Sequence, residues 1–127
     1  MWMRRVVLCL RMVVVTLCLL ALCSSAFAQE NPTPIMVGEN AVGTLSADAP
    51  TARFVLTSQG EETATIQVLA LSGGFIPYFR VVNPAGVEIL TAPNPDALSS
   101  LSADASFADA GDYIIEVSGE NGGIGQF

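Results

Sequence analysis

Leu101-Ser102-Ala103-Asp104-Ala105-Ser106-Phe107, then Asp109-Ala110-Gly111, then Tyr113-Ile114-Ile115-Glu116-Val117: this stretch decides the fold class. In the first run Leu101, Ala103, Ala105 and Phe107 alternate with Ser102, Asp104 and Ser106. Successive side chains of a strand leave on opposite faces, so a period of two marks a half-buried β-strand. The second run repeats the pattern, with Tyr113, Ile115 and Val117 expected inward and Asp112 and Glu116 outward. Gly111 lies in the turn between them.

Upstream the text is of the same kind: short apolar runs separated by turn residues. Strands are predicted near 35–37, 41–45, 53–57, 63–71, 78–82 and 87–90. In the fourth of these, Ile66, Val68 and Ala70 share one face, and Thr65 and Gln67 the other. Ser58-Gln59-Gly60-Glu61 reads as a hairpin turn, and Asn83-Pro84-Ala85-Gly86 as a tight turn in which proline presets φ and glycine takes φ > 0. Residues 92–100, with Pro93 and Pro95, form the longest loop. Phe54, Tyr78, Phe79, Phe107 and Tyr113 are expected in the core. Nothing beyond residue 28 sustains a 3.6-residue period, so essentially no helix is expected there. Many short strands at this spacing indicate an all-β, two-sheet antiparallel β-sandwich. The tail Gly119-Glu120-Asn121-Gly122-Gly123 reads as a hairpin connection, and Ile124-Gly125-Gln126-Phe127 as the beginning of a strand. That last strand is expected to be incomplete, leaving an open sheet edge, and the module to be part of a longer polypeptide.

The first 28 residues are of another character. Arg4, Arg5 and Arg11 precede an apolar run over 12–22, and Ala26-Phe27-Ala28 supplies the small-x-small pattern that signal peptidase reads. A helical signal peptide over 1–28 is therefore expected, cleaved after Ala28 to leave Gln29 first. The uncharged stretch over 12–28 is 17 residues, shorter than the roughly 20 of a typical spanning helix, so no membrane association is expected after cleavage. Leu20-Ala21-Leu22-Cys23 differs from a lipobox in having leucine, not a small residue, before the cysteine. The organisation is a signal peptide over 1–28, a linker over 29–34 with Asn31-Pro32-Thr33-Pro34, and a β-sandwich module over 35–127. Export to the medium or the cell surface follows.

Composition excludes several functions. Cys9, Cys18 and Cys23 all precede residue 28, so the exported part has no cysteine and no disulfide. All twelve acidic residues follow the signal and only Arg53 and Arg80 oppose them, a net charge of −10. Nucleic acid needs a basic footprint, and anionic membranes repel such a surface. There is no histidine and no lysine, so a serine or cysteine nucleophile has no imidazole base and a zinc site has no ligands. The adjacent carboxylates Glu61-Glu62 fall at a turn and point apart. Gly119-x-x-Gly122-Gly123-x-Gly125 lacks the helix that would hold a phosphate. No catalytic, cofactor or metal residues are assigned. Asp96, Asp104, Asp109 and Asp112 offer the oxygen donors Ca²⁺ takes, but no Asp-x-Asp-x-Asp-Gly loop makes them converge. Solvated surface carboxylates are the expectation.

Five motifs occur in sequence: Gly38-x-x-x-x-Gly43-x-Leu45; a strand around Phe54; Thr65-Ile66-Gln67-Val68; Val82-Asn83-Pro84-x-Gly86; and Ala110-Gly111-Asp112-Tyr113-x-Ile115-x-Val117. Their order and spacing resemble the bacterial pre-peptidase C-terminal domain family. The resemblance covers most of 35–127. It implies a jelly-roll-like β-sandwich attached to secreted peptidases or other surface proteins, with accessory roles in targeting, in substrate or surface binding, and in Ca²⁺-supported folding. Many members carry an acidic residue just before the strand over 78–82. This chain has Phe75-Ile76-Pro77 there, which weakens a carried-over metal site.

The expected function is a secreted, non-catalytic module that binds, targets or spaces within a larger extracellular protein, against an extracellular protein or a polysaccharide surface. The alternative is a purely structural repeat of a cell-envelope adhesin.

Overall fold

The computed structural model describes residues 31–127; Ala26, Ala28 and Gln29, where cleavage is expected, lie outside the described residues. Nine strands follow in chain order: β1 (Thr33–Ile35), β2 (Thr44–Leu45), β3 (Thr51–Gln59), β4 (Glu62–Leu69), β5 (Pro77–Val82), β6 (Glu88–Ala92), β7 (Ser100–Phe107), β8 (Ala110–Gly119) and β9 (Gly125–Gln126). The sole helical element among the described residues is a 3₁₀ turn, Glu120–Gly122.

One sheet has the order β1-β3-β8-β5-β6. The other layer is built from two ribbons, β4–β7 and β2–β9, both antiparallel. Hydrogen bonds from the Leu71 and Ser72 amides, just past β4, to the Gln126 carbonyl at 2.7 and 3.3 Å join the two ribbons. The layer then runs β2-β9-β4-β7, and the molecule is the β-sandwich expected, antiparallel in every ladder but β1–β3.

The core sits between the layers and obeys the period-two reading. Phe54 and Leu56 of β3, Phe79 and Val81 of β5, and Tyr113, Ile115 and Val117 of β8 are buried from one side. Val68 of β4 and Ala105 and Phe107 of β7 are buried from the other. The Phe107 and Tyr113 rings meet edge to face, with centroids 4.8 Å apart, the arrangement that aligns a positive ring edge with a negative ring face.

Two sequence-level turns are corners. β3 pairs with β8 and β4 with β7, so Ser58-Gln59-Gly60-Glu61 crosses from one layer to the other and is not a hairpin. The crossing is locked locally. The buried Ser58 hydroxyl donates to the Glu62 carboxylate at 2.6 Å and accepts from the Gly60 amide at 3.0 Å. The return crossing from β7 to β8 lies alongside, with the Glu61 amide on the Ala108 carbonyl at 3.2 Å. Here the Tyr113 hydroxyl donates to the Asp109 carbonyl at 3.0 Å and accepts from its amide at 3.1 Å. A local sequence signal sees glycine in a turn; only pairing distinguishes a hairpin from a corner.

The motifs that carry the resemblance have structural reasons. Asn83 Oδ1 accepts from the Ala85 and Val87 amides at 3.0 and 2.9 Å, closing the β5–β6 hairpin. Gly111, at φ +138°, lies against the Pro84 ring, where a Cβ would come within 2.7 Å of Cγ. The Asn-Pro turn and the Ala-Gly-Asp-Tyr strand therefore pack on each other.

Three boundaries differ from the sequence reading. Thr33 and Pro34, read as linker, belong to β1, which pairs parallel with β3; a proline is tolerated on an edge strand because its missing N–H faces away from the ladder. The tail is not a hairpin with β8. After the 3₁₀ turn it enters the other layer, where β9 pairs with β2 and the Phe127 and Gly43 backbones exchange hydrogen bonds at 2.9 and 3.1 Å. Gly125 makes this approach feasible, since a Cβ there would lie 2.1 Å from the Ser72 carbonyl oxygen. Third, Tyr78 is half-buried on the outer face, not in the core, because it neighbours the inward Phe79.

The long loop between β6 and β7 is organised by Asn94, 4% exposed. Its side chain donates to the Leu98 carbonyl at 2.6 Å and accepts from the Leu98 amide at 3.1 Å. Its own amide donates to the Glu120 carboxylate at 3.0 Å, tying the loop to the 3₁₀ turn. Asn94→Ala strands both Leu98 groups and is expected to cost about 2 kcal/mol in urea unfolding. A loss under about 0.5 kcal/mol, the usual range of surface changes, would show that water replaces the amide.

Candidate functional site

The outer face of the five-stranded sheet carries the ion pairs found among the described residues. Register across β3, β8 and β5 sets Thr51, Ser118 and Tyr78 in one row, and Arg53, Glu116 and Arg80 in the next outward row. β6 extends the second row with Thr91. Both arginines of the described residues thus reach one face, because each is one residue from an inward phenylalanine, Arg53 before Phe54 and Arg80 after Phe79.

Glu116 binds both. Arg53 Nη2 lies 2.9 Å from its Oε1, and Arg80 Nε donates to Oε2. Arg80 also reaches Glu88 at 3.5 Å, and the Thr91 hydroxyl donates to the other oxygen of Glu88. Signs alternate across four strands, giving a charge-neutral ladder on a strongly acidic module. The hydrogen bond and charge of Glu116, with a smaller contribution from Glu88, raise the Arg80 pKa above its ordinary value, so the guanidinium stays charged. The Glu116 side chain is only 12% exposed, against 44% for Arg80 and Glu88. Exposed pairs contribute little to stability; their effect here is to hold forked donors and a carboxylate in fixed positions. Arg53 Nε is buried and has no partner among the described residues.

Beside this ladder is a shallow groove of about 280 Å³, lined by Thr51, Tyr78, Arg80, Glu116 and Ser118. It combines one aromatic ring, hydroxyls, a guanidinium and a carboxylate. Such a set offers both donors and acceptors next to an apolar plane.

The four aspartates considered for Ca²⁺ are dispersed. Asp104, facing outward from β7, accepts from Thr65 Oγ1 at 2.6 Å; Asp112, on β8 in the other sheet, accepts from Thr57 Oγ1 at 2.7 Å. Asp109 holds Tyr113 through its backbone, and Asp96 lies in the Asn94 loop. Among the described residues no three carboxylates gather as a metal would need. Glu62 of the adjacent pair is engaged by Ser58. The groove escaped the sequence reading because only alternation was available there. Alternation sets Tyr78 and Arg80 on one face, but Tyr78 reads as a core aromatic, and the meeting of both with Thr51, Glu116 and Ser118 depends on register.

The architecture is a β-sandwich module with a polar groove on the outer face of one sheet. Among solved structures the chain is similar to the pre-peptidase C-terminal domain of collagenase from Bacillus anthracis, with a TM-score of 0.62 and 16% sequence identity over 76% of this chain and 90% of that one. The chain therefore has a pre-peptidase C-terminal-like fold, as the motif order implied, and at that identity the likeness speaks for fold alone. No protein-family profile matches the chain, and no curated protein matches it in sequence.

Proposed function

We propose that this chain is a secreted, non-catalytic accessory module that binds or targets within a larger extracellular protein. The fold likeness carries the reading: it spans 90% of a domain that is one part of a collagenase. The residues agree with it. Histidine and lysine are missing from the sequence, cysteine from the exported part, and the leader has the charge, apolar run and cleavage pattern of a secretory signal. Among the described residues no helix is long and apolar enough to cross a membrane.

Produced with its own leader, the protein is expected in the medium or on the cell surface, with Gln29 as its first residue by N-terminal sequencing. Recovery only inside cells with Met1 retained would overturn export. Hydrolysis of peptide or glycoside substrates by the purified protein would overturn the non-catalytic role. The dispersed aspartates lead to a further expectation: a chelator should leave the melting temperature unchanged. A fall of several degrees, restored by Ca²⁺, would place a metal in these loops.

A further inference from the structure

We propose that the groove formed by Thr51, Tyr78, Arg80, Glu116 and Ser118 is a binding site for a neutral polysaccharide. The inference rests on the reading of the chain as a binding module and specifies the ligand of that module.

Charge decides the class. Glu116 is nearly buried and already accepts from Arg53 and Arg80, while Arg80 is shared with Glu88. An anionic ligand on the remaining donors of Arg80 would lie beside the Glu116 and Glu88 carboxylates and be repelled by both. It would also approach a module of net charge −10. A cationic ligand would compete with two guanidiniums for the same carboxylate. A sugar avoids both costs. One of its hydroxyls accepts from the guanidinium while the next donates to the carboxylate, and the ion pairs remain in place.

The other walls suit the same ligand. Tyr78 offers a half-buried ring whose face takes the C–H side of a pyranose, with a hydroxyl at its rim. Thr51 and Ser118 add hydroxyls from the neighbouring strands of the same row. The volume of about 280 Å³ is at the lower limit of small-molecule pockets, roughly 300–1,000 Å³, enough for a single sugar ring and not for an enclosed oligomer. Thr51 and Arg80 are exposed at its margins, so a chain can continue over the sheet surface. These features favour a polymer bound one residue deep.

The test is native electrophoresis of the exported protein through gels containing neutral polysaccharides (a β-glucan, a xylan and a galactomannan), with alginate and gelatin gels run in parallel. Retardation is expected in at least one neutral gel and in neither of the other two. Tyr78→Ala should weaken it at least tenfold, and Tyr78→Phe, which keeps the ring, should retain most of it. Tyr78 is outside the core, so Tyr78→Ala is expected to keep the wild-type cooperative urea-unfolding transition; Glu116→Gln, which removes the charge at nearly constant volume, gives an independent variant with the same expected loss. Wild-type retardation of both variants would overturn the site. Tyr78-dependent retardation in gelatin alone would overturn the polysaccharide and leave the binding module standing. No retardation in any gel would overturn both.

Discussion

Tyr113→Ala is expected to lower the unfolding free energy by about 3–5 kcal/mol, the range of large aromatic deletions in cores. Tyr113 is 1% exposed and is the first fully buried residue of β8 after the corner. Its ring packs edge to face on Phe107, and its hydroxyl closes the crossing from β7 to β8 on the Asp109 backbone. Against a total stability of about 5–15 kcal/mol for such a domain, the loss is a large share. Tyr113→Phe separates the two contributions, because it keeps the ring and removes the hydrogen bonds, and should cost about 1 kcal/mol. Urea melts of the two variants read the difference. Equal losses would mean the corner, not the core, depends on this residue.

Phe127→Ala should cost nearly as much, about 3–5 kcal/mol. The ring is 8% exposed, lies over Gly43, and meets Phe54 and Phe75 edge to face at 6.0 and 6.5 Å. Its effect should also be regional. β9 is held between β2 and the residues after β4, so loss of the ring is expected to release hydrogen-exchange protection at the Gly43 amide before that of β3 or β8. A cost under 1 kcal/mol with unchanged protection would show that β9 rides on the sandwich without closing it.

Much of this fold is legible in the sequence wherever side chains alternate. Leu101 to Phe107 and Tyr113 to Val117 point as their polarity says, since a one-residue slip would turn an entire apolar face to water. What local pattern lacks is pairing. Ser58 to Glu61 has the residues of a hairpin turn and makes a corner; the tail after Gly119 has them too and crosses to β2. Phe75 and Phe127 are core residues without an alternating neighbourhood to announce them, because one precedes its strand and the other follows a glycine-rich approach. Pro34 argues locally for a linker, yet an edge strand accepts it. The groove is illegible for the same reason as the corners: Thr51, Tyr78, Arg80, Glu116 and Ser118 come from three strands and meet through register.

Amide chemical shifts test sugar binding at the groove residue by residue. Isotope-labelled protein is titrated with oligosaccharide from the neutral polysaccharide that retards it most. Shifts centred on Thr51, Tyr78, Arg80, Glu116 and Ser118, with β4 and β7 unmoved, are the predicted result. Shifts centred on β4 and β7, or none up to millimolar sugar, would contradict it.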